Sequence, residues 1–226
     1  MKELHKSEML AYFEEINSML AARHKYGDIL IAGGAALTLV YGARSSTYDI
    51  DAIFKPSEEM RDIIKLIAGR HNLGDDWLND GVKGFFTPQM QDGQEIFQKY
   101  SNLTVSSLNA ECLLAMKLTS ARTLTKDMSD SIFLMRKLNI QTEDELFAII
   151  EKYIDENRRT PAARFFTLEA FEKYRSVKSQ VMEQTKSQVS EQSGKTSVLE
   201  AIRRDRERVR QPRPKRPSMG KDSFER

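Results

Sequence analysis

The 226-residue sequence predicts an α/β (α+β) fold: a small sheet flanked by helices, followed by a helical region and a disordered tail. Three observations predict it. Up to Leu108, short apolar runs bounded by turn residues alternate with amphipathic stretches, the pattern of strands among helices. From Asn109 the apolar residues recur at helical spacing. After about Ser176, Gln, Ser, Lys and then Arg and Pro dominate, and too few apolar residues remain to bury a core. The expected organisation is residues 1–108 as an α/β core, 109–175 as a helical region completing the site, and 176–226 as a disordered basic tail.

The first helix is expected from about Lys6 to His24, because Met9, Tyr12, Phe13, Ile16, Met19 and Leu20 fall at three- and four-residue steps. Tyr26-Gly27-Asp28 breaks it. Ile29 to Ala32 is a short buried strand, Gly33-Gly34 the turn, and Ala35 to Tyr41 a helix stopped by Gly42. Arg44 to Tyr48 is a loop, and Asp49 to Phe54 is the second strand. Pro56 ends that strand, and Ser57 is the expected N-cap of a helix to about His71. Asn72 to Gln94, rich in Gly, Asp and Asn, reads as loops with short strands. Glu95-Ile96-Phe97 and Leu103-Thr104-Val105 complete the sheet.

Helices follow over Asn109–Leu124 and Asp127–Leu138. Thr142-Glu143-Asp144-Glu145 is a capping box opening a helix to about Asn157, and Pro161 suits the first turn of a last one. Ser197 to Val209 has the composition of a transient helix.

Several function classes are excluded by the totals. No apolar run approaches the roughly 20 residues that cross a bilayer. The start, Met1-Lys2-Glu3-Leu4-His5-Lys6, is not a signal peptide, and a cytoplasmic location is expected. A single cysteine, Cys112, and three scattered histidines argue against disulfides and structural zinc. The net charge of +2 hides an asymmetry: Lys195 to Arg226 holds 11 basic and 5 acidic residues, or +6, so the residues before it sit at −4.

The chemistry concentrates between Ile29 and Phe54. Gly33-Gly34 before a helix is either a tight strand-to-helix turn or a place where backbone N–H groups approach phosphate oxygens. Asp49 and Asp51, at spacing two, share one face of a strand. They mark either an exposed strand edge or a paired site on an apolar strand. In the second case a divalent cation offsets their charge, and oxygen ligands suit Mg²⁺.

Gly-Gly-Ala-Ala-Leu, a short helix, Arg44-Ser45-Ser46-Thr47 and then Asp49-Ile50-Asp51 together resemble the core motif of the nucleotidyltransferase superfamily, with its polymerase-beta-like fold. Within it the stretch looks most like the nucleotidyltransferase toxins of abortive-infection and toxin–antitoxin systems and their uncharacterised relatives. A second block, Leu113 to Leu118, Ala121-Arg122 and Lys126-Asp127-Met128-Ser129-Asp130, is similar to a pattern in the helices of those relatives. The resemblance covers about Asp28 to Leu138.

It implies a small mixed sheet and transfer of a nucleoside monophosphate from a nucleoside triphosphate to a hydroxyl. The implied acceptor is RNA, such as a tRNA 3′ end, or a protein, and a cognate antitoxin is an implied partner. Gly33, Gly34 and Ser46 would contact nucleotide phosphates. Asp49 and Asp51 would ligate Mg²⁺ (or Mn²⁺). Arg44 and Lys117 would offset triphosphate charge. Asp127 would orient Lys117 or the acceptor, and Asp130 is read as a partner for Arg122.

One departure stands out. Many members place a third carboxylate on a later strand, and the runs Glu95–Phe97 and Leu103–Ser107 show no apolar–Asp–apolar pattern. Asp80 and Glu95 are poor substitutes, so no base is assigned. Trp77 reads as core or interface ahead of a base-stacking role, and Cys112 as inert. The basic tail is compatible with nucleic-acid binding or simple solvation. The rival functions are a small-molecule nucleotidyltransferase of the antibiotic-modifying kind, and a degenerate nucleic-acid-binding or antitoxin protein.

Overall fold

The computed structural model describes residues 2–120 and 125–180. The fold is α/β, with a five-stranded mixed sheet flanked by helices. Met1–Arg175 forms one compact unit. The expected transient helix, the basic tail beyond residue 180 and Arg122 lie outside the described residues.

A two-residue strand, β1 (Leu4–His5), leads into α1 (Lys6–Ala22), which buries Met9, Tyr12, Phe13, Ile16 and Leu20 as its periodicity predicts. β2 (Gly27–Ile31) follows. The helix α2 (Gly33–Leu39) begins at the first glycine, so Gly33-Gly34 forms its opening turn instead of preceding it. β3 (Ser46–Thr47) pairs with β1 as a separate antiparallel ribbon, with Leu4 opposite Thr47. The second long strand, β4 (Ile50–Lys55), starts one residue after Asp49. In α3 (Ser57–His71) Pro56 occupies the N-cap and Ser57 is already helical. Its C-cap, Asn72, takes the left-handed conformation (φ 53°) that ends helices.

The loop-rich middle contains β5 (Leu78–Asn79) and two 3₁₀ turns, Gly81–Phe85 and Pro88–Gly93. β6 (Gln94–Lys99) and β7 (Leu103–Leu108) form an antiparallel hairpin. The sheet order is β5-β4-β2-β7-β6. β2 is central, antiparallel to β4 and parallel to β7. This puts the apolar run Ile29–Ile31 in the middle of the core, where a near-continuous hydrophobic strand is expected.

The helical part comprises α4 (Ala110–Thr119), α5 (Thr125–Leu138) and α6 (Glu143–Tyr153), with residues 161–180 forming α7. Asn109 caps α4 by accepting from the Cys112 N–H at 2.9 Å, and Thr142 caps α6 by accepting from the Glu145 N–H at 3.3 Å. α6 stops at Tyr153, short of Asn157, and residues Glu156–Arg158 form a separate 3₁₀ turn. Among the described residues, no helix is long and apolar enough to cross a membrane.

Trp77 belongs to the core. It is 2% exposed, its indole N–H donates to the Ile64 carbonyl at 3.1 Å, and its ring meets Tyr12 edge-on at 5.1 Å. Cys112 is also buried, and burial pushes its thiol up to about 12.

Candidate active site

β4 sets Asp51 in place. Its buried neighbours Ile50 and Ala52 face the core, so Asp51 emerges on the opposite, half-buried face. Asp49 ends the preceding loop and is half-buried. The strand-face argument therefore applies to Asp51 alone. The reason is the short partner strand: β5 pairs only with Ile50 and Asp51, and the Ile50 N–H donates to the Trp77 carbonyl at 2.7 Å where the ladder begins.

Gly33 is needed where it stands. It has φ +56°, and a β-carbon there would lie 2.9 Å from Oδ2 of Asp51. The missing side chain lets the Asp51 carboxylate stand against the first turn of α2. At Gly34 a β-carbon would come 2.8 Å from Oγ1 of Thr47 and 3.3 Å from Nη1 of Arg44. The two glycines thus accommodate two different close approaches.

The second half of the site is an ionic chain. Arg44 grips Asp130 with both arms of its guanidinium, Nε reaching Oδ1 at 2.8 Å and Nη2 bonding Oδ2. On the other side of Asp130, Nζ of Lys117 lies 3.0 Å from Oδ2. The same ammonium donates to Oδ1 of Asp127 at 2.5 Å. Asp127 also accepts from the Ser120 hydroxyl at 3.3 Å. Asp130 and Asp127 are buried at 3% and 7% exposure. Two cations and two carboxylates so balance one another in a place where an unmatched charge would be costly. Asp130 meets Arg44 and Lys117, and its expected partner Arg122 is not among the described residues.

A cavity of about 440 Å³ gathers these parts. Gly33, Asp51, Lys117 and Asp127 line it. Arg44 connects to it through Asp130 and Lys117. Gly34, Asp49 and Ser46 are not in its lining. Ser46 lies in the β1–β3 ribbon, where its hydroxyl donates to Glu3 at 3.0 Å.

Among the described residues, no group of three or more His, Cys, Asp or Glu is placed to hold a metal ion. Magnesium, however, needs only one or two carboxylates when substrate phosphates supply the remaining oxygens. Asp51 offers such a carboxylate at the cavity wall. The alternative acids are engaged elsewhere or exposed. The carboxyl of Asp80 is held below its ordinary value by Lys83 at 2.6 Å and Arg61 at 2.8 Å. Glu95 is exposed on the edge strand β6.

A family model described as a nucleotidyltransferase of unknown function (DUF6036) matches residues 7–175. The chain belongs to this nucleotidyltransferase family. No curated protein and no solved structure matches the chain. The matched stretch ends where the compact unit of this nucleotidyltransferase ends, at Arg175.

Sequence reasoning missed part of the nucleotidyltransferase's cavity. Phe85, Asn157, Arg158 and Thr160 also line it. Phe85 closes one 3₁₀ turn and Arg158 another, and such short segments carry no periodicity to read. Met116 and Ser120 could have been found, since with Leu113 and Lys117 they fall at i, i+3, i+4 and i+7 on one face of α4.

Proposed function

We propose that the chain transfers a nucleoside monophosphate from a nucleoside triphosphate to a hydroxyl acceptor, with Mg²⁺ that Asp51 at the cavity wall, and Asp49 two residues before it, would hold. The acceptor hydroxyl oxygen bonds to the α-phosphorus and gives up its proton to solvent, the bond from the α-phosphorus to the α–β bridging oxygen breaks, and pyrophosphate leaves carrying that oxygen. When bound, the cation would supply charge to the phosphate oxygens. Lys117 presents its ammonium at the cavity wall, fixed by Asp127 and Asp130, where it can offset triphosphate charge without reorganising. Gly33 leaves room for Asp51 beside the α2 backbone.

One observation carries this reading: Gly33, Asp51, Lys117 and Asp127, drawn from β4 and from three helices, line a single cavity. Family membership in a nucleotidyltransferase group agrees with it. The favoured acceptor is RNA, because the tail sequence from Lys195 to Arg226 carries +6 and suits a polyanion. A toxin–antitoxin or phage-defence setting rests on the motif resemblance around Asp49-Ile50-Asp51 and Lys126 to Asp130.

The test is to incubate the protein with each labelled nucleoside triphosphate, Mg²⁺ and total RNA or lysate protein, beside an Asp49→Ala/Asp51→Ala control. Label entering RNA, and absent in the control, is the expected result. No control-sensitive transfer to RNA, protein or small molecules would overturn the reading.

A further inference from the structure

The cavity is chemically divided along α4. Leu113 and Met116 line it toward the start of the helix, and Lys117 and Ser120 toward its end, a span of about 10 Å. The Ser120 and Lys117 end carries the Lys117–Asp127 ion pair, with the Ser120 hydroxyl bonded to it. At the other end, Glu111 in the first turn of α4 accepts from Lys152 at 2.8 Å and from the Tyr153 hydroxyl at 3.1 Å. The C-terminus of α6 is thereby drawn to that end, followed by Ile154 and the turn bearing Arg158. Arg158 donates to the Gly84 carbonyl, and its guanidinium lies over the Phe85 ring at 5.1 Å. Phe85 is still 47% exposed, an aromatic left open at a cavity wall.

From this division we infer that the end lined by Leu113 and Met116 is the seat of the nucleobase, with the Phe85–Arg158 cation–ring pair as its platform. The inference rests on the nucleotidyl-transfer reading and deepens it. A nucleotide has the same division, a polyanionic chain at one end and a flat, weakly polar ring at the other. Aromatic rings and guanidinium planes are the two surfaces on which bases stack. Asn157 and Thr160, which also line the cavity, offer donors and acceptors to a base edge. A volume of about 440 Å³ lies within the range of small-molecule sites.

The test is calorimetric titration of the full chain, in Mg²⁺, with ATP, GTP, CTP, UTP and inorganic tripolyphosphate. The best-bound nucleotide is expected to bind about tenfold more tightly than tripolyphosphate, the size of one base-stacking contribution. Phe85→Ala, and Arg158→Lys, which keeps the charge and removes the planar guanidinium, should each remove most of that difference while leaving tripolyphosphate affinity unchanged, and Phe85→Tyr should keep it. Unchanged tripolyphosphate binding also shows that the variants keep a folded phosphate site. Nucleotide and tripolyphosphate bound equally by the wild type, or nucleotide affinity untouched in both Phe85→Ala and Arg158→Lys, overturns the base assignment alone. Failure of the wild type to bind either probe overturns it together with the transfer reading.

Discussion

The ammonium of Lys117 lies 2.5 Å from the carboxylate of Asp127, and both side chains line the cavity that holds Asp51. Part of the lysine's charge is therefore already balanced before any phosphate arrives. Neutralising Asp127 frees that charge but removes the group that aims it. Asp127→Asn is expected to lower kcat about 10²-fold while leaving the nucleotide KM unchanged or lower. Steady-state kinetics with varied nucleoside triphosphate checks this, and a raised KM with unchanged kcat would contradict it.

Asp130 carries more of the stability than of the chemistry. It is 3% exposed and serves Arg44 and Lys117 at once. Removing it leaves two cations without their shared carboxylate, so Asp130→Ala should destabilise by about 3–5 kcal/mol. Arg44→Ala should cost less, because Lys117 still pairs with Asp130. Urea denaturation of both single variants and the double variant measures the coupling, which should be well above zero.

Gly33 and Gly42 form an internal comparison. Their φ angles are +56° and +62°, so an alanine at either pays a similar backbone cost of about 1–2 kcal/mol. Only at Gly33 does the added carbon meet a site residue, Asp51; at Gly42 it meets nothing within 4 Å. Gly33→Ala should therefore abolish transfer and Gly42→Ala should keep most of it, at similar melting temperatures. Equal activities would remove the close-approach argument.

Burial raises the thiol of Cys112 from 9.0 to about 12 and the Tyr41 hydroxyl from 10.0 to about 12. Each group is an acid held protonated in the folded state, so the unfolded chain releases its proton first as pH rises. The stability they contribute is complete below pH 9.0 and declines from there toward about 12. Cys112→Ala should delay the onset of that decline, seen as a flatter melting temperature between pH 9 and 10. At neutral pH a thiol reagent should label Cys112 only after unfolding.

Legibility followed periodicity. β2, β4, α1 and α3 were readable because Ile29–Ile31, the Ile50–Phe54 run and the stripes of Met9–Leu20 and Ile63–Ile67 each present one period over enough residues. The motif resemblance names Gly33, Asp51, Lys117 and Asp127 together, and all four line a single cavity. The Arg44–Asp130 pair was not readable, since an ion pair across 86 residues depends on how α5 is set against the loop after α2. Phe85 and Arg158 lie in single 3₁₀ turns, joined by the Arg158 hydrogen bond to the Gly84 carbonyl and a guanidinium–ring contact, neither of which a local pattern encodes.

The parallel register of β2 with β7, Gly27 opposite Leu103, has a consequence during synthesis. β2 can pair early with β4, but its other edge waits until residues through Leu108 have emerged, and pairing of such separation closes slowly. Over that interval the apolar Ile29–Ile31 edge stands open, a template for strands of other chains. A product truncated before Leu103 keeps that edge permanently. Such a product, which also lacks the Lys117 and Asp127 side of the cavity, is expected to self-associate in the cell.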